Sequence, residues 1–236
     1  MSESFFQFKK FKILNPKIGL KITTDACLLG ALCNKTNAEN ILDIGTGTGV
    51  LSLMVAQKNV GSRILAIEIN EAAFKNAEIN IYESMFNKQI ELIHDDFINH
   101  QFKTKFDLII SNPPYFTNNL KSENQTKNFY IHNETLDIDL FLKKTECLMS
   151  ENGEFWLIMP HYEMDDLIEK AATYHLFPKT IYDIDNLPGK NFRKIVSFYK
   201  IKGTEPNLIK EKLFDAIGKE TTFFKTLMQP YYLDKN

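Results

Sequence analysis

Residues 111–116, SNPPYF, place an amide side chain before two prolines and two aromatic rings after them. Each proline fixes φ and lacks a backbone N–H, so the segment predicts a rigid elbow where a strand stops. The side-chain oxygen of Asn112 and the carbonyl of Pro113 can accept both hydrogens of an NH2 group as its nitrogen becomes tetrahedral. The rings of Tyr115 and Phe116 can stack on a flipped-out base. The alternative is structural: the prolines end a strand and the rings fill the core.

A glycine-rich loop, LDIGTGTGVLSL, occupies residues 42–53. Its glycines are Gly45, Gly47 and Gly49. They permit a tight turn and close approach of a ligand, and the helix that follows offers free N–H groups. A dinucleotide fingerprint requires its third glycine at position 50, which is a valine. The loop therefore favours a nucleotide-type ligand other than NAD or FAD.

Acidic residues stand at the predicted ends of the next two strands. Glu68 lies 23 residues after Gly45, near the spacing at which an acid accepts ribose hydroxyls. Asp96, in the stretch HDDF, can accept from an adenine amino group, and Phe97 can pack on the ring. Glu68 can equally be an exposed strand-end acid, and Asp95 and Asp96 can cap a helix. Because open α/β sheets bind ligands at their carboxyl edge, these acids and the glycine loop together predict a cofactor site.

The elements that must position these groups alternate between short apolar runs and longer helical patterns from residue 40 onward. The predicted strands are 40–44, 63–69, 89–93, 106–111, 154–159, 179–185 and 193–201. The predicted helices are 50–58, 71–85, 137–149, 162–174 and 207–217. The last two strands are joined too closely for a helical crossover, so they must be antiparallel. The sequence therefore predicts a doubly wound α/β fold whose seven-stranded, mostly parallel sheet ends in an antiparallel hairpin. Strand 106–111 lies beside strand 40–44 in this topology, and the aromatic tail 223–233 packs back on the body.

Length and composition favour a single domain over residues 1–236. We divide it into a basic or lid extension (1–39), a cofactor-binding and catalytic core (40–202) and a C-terminal helix with its tail (203–236). No apolar run approaches the ~20 residues of a membrane span. The N-terminus lacks the basic and apolar segments of a signal peptide, so we expect a cytoplasmic location.

The number and spacing of the cysteines and the distribution of charge further limit the possible functions. Cys27, Cys33 and Cys147 form neither an even set nor a CxxC pair, so we expect buried thiols and no metal site. The net charge of −2 argues against indiscriminate coating of nucleic acid. However, the first 24 residues carry five lysines and one glutamate, which predicts a local basic face or a solvated tail.

Several motifs resemble those of known methyltransferases. The stretch 112–115, NPPY, matches the [ND]PP[YF] motif of amino-methylating enzymes, which act on adenine or cytosine in nucleic acid or on glutamine in release factors. The glycine loop resembles that of Rossmann-like class I enzymes that use S-adenosylmethionine. KITTDACLLGAL (21–32) and NPPYFTNNLKSENQTKNFYIHNETLDIDLFL (112–142) are similar to bacterial valine-tRNA adenine-N6 methyltransferases. The resemblance covers nearly the whole chain. It implies a monomeric enzyme that methylates the adenosine just 3′ of the anticodon, within the anticodon stem-loop of tRNA.

The resemblance also assigns roles to residues. The implied catalytic loop is Asn112, Pro113, Pro114 and Tyr115. The implied cofactor residues are Asp43, Gly45, Gly47, Gly49, Glu68 and Asp96, with Phe97 packing on the cofactor. Thr24 and Asp25 can close over the cofactor, although a helix N-cap explains them equally well. Candidate RNA contacts are Phe116, Lys9, Lys10, Lys12, Lys121, Lys127, His132, Lys190, Arg193 and Lys194. Ile131 stands where a basic residue is expected before His132, which weakens the assignment of this loop to RNA.

Other functions remain open from the sequence. A protein-glutamine N5 methyltransferase presents the same NH2 group to the same motif, but the basic N-terminus and the lack of a helical substrate domain count against it. A DNA adenine methyltransferase would be expected to carry an added target-recognition domain. The third alternative is a non-catalytic RNA-binding protein that has kept the fold.

Overall fold

The computed structural model describes residues 4–15, 22–113, 137–203 and 205–234. An antiparallel hairpin of β1 (Ser4–Gln7) and β2 (Lys12–Asn15) comes first. The central sheet has eight strands: β3 (Asn40–Ile44), β4 (Arg63–Glu68), β5 (Ile90–His94), β6 (Phe106–Ser111), β7 (Met149–Met159), β8 (Phe177–Leu187), β9 (Lys190–Tyr199) and β10 (Asn207–Lys212). Their spatial order is β10-β8-β9-β7-β6-β3-β4-β5, and every neighbouring pair is parallel except the two that involve β9.

Helices cover both faces of this sheet. They are α1 (Thr24–Leu32), α2 (Val50–Lys58), α3 (Glu71–Tyr82), α4 (Ile138–Leu148), α5 (His161–Thr173) and α6 (Thr222–Met228). Successive strand residues point to opposite faces. Ile41 therefore joins one apolar cluster with α1, α2, α3 and α6, while its neighbour Leu42 joins the other with α4 and α5. Two buried layers hold the central strands rigidly.

The predicted parallel core is confirmed. Strand β3 lies between β4 and β6, so the segment before the proline pair runs beside the strand that leads into the glycine loop. The hairpin of β8 and β9 is antiparallel, as the short link requires. Helix α2 has the predicted limits, and α3 ends three residues earlier than predicted. The elements that position the site thus follow from the sequence pattern.

The prediction for residues 207–217 is wrong. These residues do not form a helix, and β10 pairs with β8 in parallel as an eighth strand. Lysine and glutamate favour a helix locally, but β8 offers an unpaired row of backbone donors and acceptors that overrides this preference. The charged residues of β10 then suit the edge of the sheet. Strand β7 also begins at Met149, earlier than the predicted residue 154.

The aromatic tail packs back on the body, as predicted. Phe224, Met228 and Tyr231 are buried in the cluster that contains α1 and α2. The tip of the N-terminal hairpin joins them, because Phe8 is fully buried and forms a bridge with Tyr232. The two ends of the chain therefore meet on one face of the sheet.

Two of the three cysteines are buried as predicted. Burial raises the pKa of Cys27 to about 11 and that of Cys33 to about 12. The prediction is wrong for Cys147, which is exposed because α4 buries Phe141, Leu142 and Thr145 on its other side.

Within the described ranges, no three His, Cys, Asp or Glu side chains form a metal-binding group. None of the helices in the described part of the chain has the length and apolar character that a membrane crossing requires.

Candidate active site at the carboxyl edge of the sheet

The predicted site residues converge on one edge of the sheet. Strands β3, β4, β5 and β6 are parallel neighbours, so their carboxyl ends meet at the same edge. Ile44 is paired with Ser111, and Glu68 is paired with His94. The glycine loop, Glu68 and Asn112 therefore follow the ends of adjacent strands, which is where open α/β sheets hold ligands.

The glycine loop adopts a backbone conformation that favours glycine. Gly45, Gly47 and Gly49 have φ values of 69°, 60° and 80°. The N–H groups of Gly45 and Thr46 both donate to the carbonyl of Ile67, at 2.9 and 3.2 Å. A Cβ atom added at Gly45 would meet nothing within 4 Å, so positive φ rather than crowding requires glycine there. The loop is fixed to β4 while its outer side stays open.

Asp43 is a buried carboxylate whose two oxygens have different surroundings. Its relative exposure is 0%, and its Oδ2 accepts hydrogen bonds from Thr46 Oγ1 and Ser52 Oγ, each at 2.6 Å. Its Oδ1 is buried and has no hydrogen-bond partner among the described residues. Burial raises the pKa of Asp43 to about 6, and the two hydroxyl donors oppose that rise. An unpartnered buried oxygen of this kind suits a cationic group of a ligand.

Sequence reasoning missed Thr46 and Ser52. Both hydroxyls lie in the stretch that carries the glycine loop, three and nine residues after Asp43. Their spacing places them where the chain turns from β3 into the first turn of α2. A search for hydroxyl donors around a strand-end acid would have found them.

Glu68 stabilises the glycine loop through hydrogen bonds. Its Oε2 accepts from Gly47 N and its Oε1 accepts from Asn70 N, each at 2.9 Å. Burial raises its pKa, and these backbone donors oppose the rise. Because a carboxylate oxygen has two acceptor positions, both oxygens keep capacity for ribose hydroxyls. The predicted role of Glu68 therefore stays a prediction, with a structural role beside it.

The structure gives the segment after β5 local contacts. Asp96 accepts from Ile98 N at 2.9 Å and from Asn99 Nδ2 at 2.5 Å, so both of its oxygens serve a turn. Phe97 is 6% exposed and packs against Phe102 and Phe141 in the core. Asp96 therefore stabilises a turn and does not cap a helix, and contacts of Asp96 and Phe97 with adenine stay predictions.

Asn112 follows β6 directly. Ser111 Oγ donates to the carbonyl of Ile44 at 2.9 Å and joins the ends of β6 and β3. The side-chain amide of Asn112 donates through Nδ2 to Thr23 Oγ1 at 3.5 Å, and Pro113 is buried. The other predicted residues of this segment lie outside the described residues: Pro114, Tyr115, Phe116, Lys121, Lys127 and His132.

The start of α1 lies against this segment, with roles that differ from the prediction. The N-cap is Thr23, which accepts from Ala26 N, and neither Thr24 nor Asp25 caps the helix. Asp25 forms an ion pair with Arg193, whose Nε lies 2.6 Å from Asp25 Oδ2. The side chains of this pair are only 8% and 18% exposed, so the guanidinium is engaged inside the protein. A contact of Arg193 with RNA stays a prediction, and the ion pair gives this residue a structural role as well.

The lysines proposed to contact RNA lie in different settings. Lys9 pairs with Asp234 at 2.9 Å, Lys12 pairs with Glu83 at 2.8 Å, and Lys10 is exposed. Ion pairs of such exposed groups contribute little stability and exchange readily. Lys194 pairs with Asp165. The side chain of Lys190 lies outside the described residues.

Comparison with known proteins places the chain among methyltransferases. The family model described as the methyltransferase small domain matches residues 22–173. A Bacteroides thetaiotaomicron tRNA1(Val) (adenine(37)-N6)-methyltransferase is 34% identical over 236 residues, covering 99% of both chains. A predicted O-methyltransferase from Agrobacterium tumefaciens has a similar structure, with a TM-score of 0.66, 19% identity and coverage of 90% of this chain and 100% of that one.

A second structural likeness concerns a complex with a cofactor. A glycopeptide N-methyltransferase solved with S-adenosylmethionine has a TM-score of 0.52 and 9% identity, covering 69% of this chain and 87% of that one. At such low identity, these two structural likenesses show the fold alone.

Proposed function

This chain belongs to the family of tRNA1(Val) (adenine(37)-N6)-methyltransferases, and we propose that it methylates N6 of the adenosine just 3′ of the anticodon in a valine tRNA. The observation that carries the proposal is the placement of Asn112 at the end of β6, next to the strand that enters the glycine loop. An amide acceptor and a cofactor loop on adjacent strands put the two reactants within reach of each other.

The cofactor of the family is S-adenosylmethionine, and the described residues fit it. When bound, it supplies a methyl group made electrophilic by a sulfonium. The negative charge of Asp43 favours its ammonium group, directly or through water, and the space beside Gly45 is open to a ligand. Glu68 keeps acceptor capacity for ribose hydroxyls. The chain is thus a methyltransferase whose own residues explain its preference for a cationic ligand without a pyrophosphate.

The residues that bind the substrate amine act by orienting it. The exocyclic nitrogen of adenine is a poor nucleophile because its lone pair is delocalised into the ring. The Asn112 side-chain oxygen and the Pro113 carbonyl accept its two hydrogens and favour a tetrahedral nitrogen. Tyr115 and Phe116, outside the described residues, stack on the flipped base. No strong general base is required, because the proton can leave after transfer.

We place the anticodon stem-loop over the carboxyl edge of the sheet. Lys9, Lys10 and Lys12 on the N-terminal hairpin are candidates for phosphate contacts. Lys10 is exposed, and the exposed ion pairs of Lys9 and Lys12 cost little to exchange. Lys121, Lys127, His132 and Lys190 stay candidates for the same role. We propose one domain acting as a monomer in the cytoplasm.

The test is to incubate the protein with a labelled methyl donor and either bulk tRNA or a release factor. We expect label on tRNA, and nucleoside mass spectrometry should identify N6-methyladenosine. Label on the release factor alone would assign the protein to glutamine methylation instead. Absence of label on both, together with binding of tRNA, would favour a non-catalytic RNA-binding protein.

A further inference from the structure

Asn112 carries an amide whose two ends have opposite chemistry. Only its oxygen can accept a hydrogen from the substrate amine, whereas its NH2 end would oppose it. The two orientations differ by a half-turn of the terminal amide, so something must select one of them. A side chain that binds the NH2 end would leave the oxygen free for the substrate.

Thr23 is placed to make that selection. Its Oγ1 lies 3.5 Å from Asn112 Nδ2 and accepts from it, although the two residues are 89 positions apart in the chain. The same Oγ1 accepts from Ala26 N at 3.2 Å as the N-cap of α1. In this arrangement the hydroxyl accepts from two donors, and the Nδ2 end of Asn112 faces Thr23.

The support behind Thr23 is rigid. Helix α1 is buried from Asp25 to its C-terminal end, and its first turn is tied to β9 by the ion pair of Asp25 with Arg193. Strand β9 is itself paired with β7 and β8 inside the sheet. A group held by such a support keeps its geometry while the substrate enters.

We propose that Thr23 is a positioning residue that orients the Asn112 amide, so that its oxygen faces the substrate amine. This inference rests on the proposed function, since it assigns a role within the same site. A neutral hydrogen bond of this kind favours one orientation by roughly fivefold. Without it the two orientations become about equally populated, so the fraction whose oxygen faces the substrate falls from about five-sixths to about one-half. We therefore expect the rate of methyl transfer to fall about twofold when the hydroxyl is removed.

The decisive variants are Thr23→Gly and Thr23→Ser. Glycine is an acceptable N-cap, so Thr23→Gly removes the hydroxyl at a small cost in helix stability. We expect its single-turnover rate, at saturating tRNA and cofactor, to fall about twofold. Its affinity for S-adenosylhomocysteine should stay unchanged, and Thr23→Ser should restore the rate.

Thr221→Gly is the matched control. Thr221 is also a threonine N-cap, accepting from Phe224 N, but it caps α6 away from Asn112. We expect a similar small loss of stability and an unchanged rate. A Thr23→Gly rate equal to that of the wild type overturns the inference. An altered cofactor affinity with an unchanged saturated rate overturns it as well.

A second measurement is independent of activity and of the stability of the glycine variant. In ¹⁵N-labelled protein, the Asn112 side-chain amide signals are assigned by their loss in Asn112→Asp. We expect the chemical shifts of these signals to change in Thr23→Val and to stay unchanged in Thr23→Ser. Unshifted signals in Thr23→Val overturn the inference. If the wild type does not methylate tRNA, the proposed function fails, and these signals alone then decide the contact.

Discussion

The two sides of the candidate active site are held in different ways. On the cofactor side, Asp43 and Glu68 receive four hydrogen bonds from hydroxyls and backbone N–H groups of the described residues, at 2.6 to 2.9 Å. On the acceptor side, the contact found for the Asn112 side chain within the described ranges is the one with Thr23, at 3.5 Å. Among the described residues, the acids of the cofactor side are therefore preorganised, while the side chain of Asn112 makes one weak contact.

The difference also concerns distance along the chain. Asp43 is bound by residues three and nine positions away, whereas Asn112 and Thr23 are 89 positions apart. A ligand that binds first needs a site that exists in the free protein, which local contacts provide. An amide that must accept from an incoming base needs an unoccupied oxygen, so few contacts to it are expected. The predictions below test this division, from the largest expected effect to the smallest.

Asn112→Ala should separate the two sides most clearly. It removes one of the two acceptors for the amine, so we expect the single-turnover rate of methyl transfer to fall by roughly 100- to 1,000-fold. Affinity for S-adenosylhomocysteine, measured by calorimetry, should stay near the wild-type value. An unchanged rate would remove Asn112 from the mechanism.

Asp43→Asn should affect the cofactor side. The amide keeps an acceptor for Thr46 and Ser52 but replaces the unpartnered anionic oxygen, so we expect affinity for S-adenosylhomocysteine to fall roughly 10- to 100-fold. The matched control is Asp107→Asn. Asp107 is also a hydrogen-bonded acid in the sheet, but it lies at the start of β6 and accepts from Glu39 N, Asn40 N and Ser150 Oγ. Equal losses in both variants would contradict a specific role for Asp43.

The pH dependence of binding should report the ionisation of Asp43. Its pKa is raised to about 6, so the carboxylate is ionised at pH 8 and protonated as pH falls through 6. A cationic group prefers the ionised form, so affinity for S-adenosylhomocysteine should be about tenfold weaker at pH 5 than at pH 8. Calorimetry at several pH values measures this, and Asp43→Asn should flatten the profile. A profile that is equally steep in the variant would assign the titration to another group.

Ser52→Ala should give the smallest effect. It removes one of the two hydroxyl donors to Asp43, so cofactor affinity should fall roughly fivefold. That hydrogen bond lowers the pKa of Asp43, so its loss should move the midpoint of the pH profile upward. Ser62→Ala is the control, because Ser62 is also buried but donates to the carbonyl of Asn59. A midpoint that moves downward in Ser52→Ala would contradict the assignment.

Much of the fold could be predicted from the pattern of apolar residues. Strand β3 and helix α2 have the predicted limits, because a buried apolar run followed by glycines leaves few other structures. The prediction for β10 was wrong because its residues favour a helix in isolation, whereas each of them pairs with a residue of β8 that lies 27 positions earlier in the chain. The intrinsic preference of a segment for a helix is overridden when pairing with a neighbouring strand satisfies the backbone donors and acceptors along that strand.

The candidate site, like the fold, has parts that the sequence predicts and parts that it does not. The sequence by itself determined the glycine loop, its acids and the NPPY segment at adjacent strand ends, because local spacing and the parallel topology fix them. Only the tertiary structure decided which oxygen of Asp43 stays unpartnered, that Arg193 pairs with Asp25, and that Thr23 contacts Asn112. The last two contacts join residues 168 and 89 positions apart in the chain, and no spacing rule encodes the distance between them.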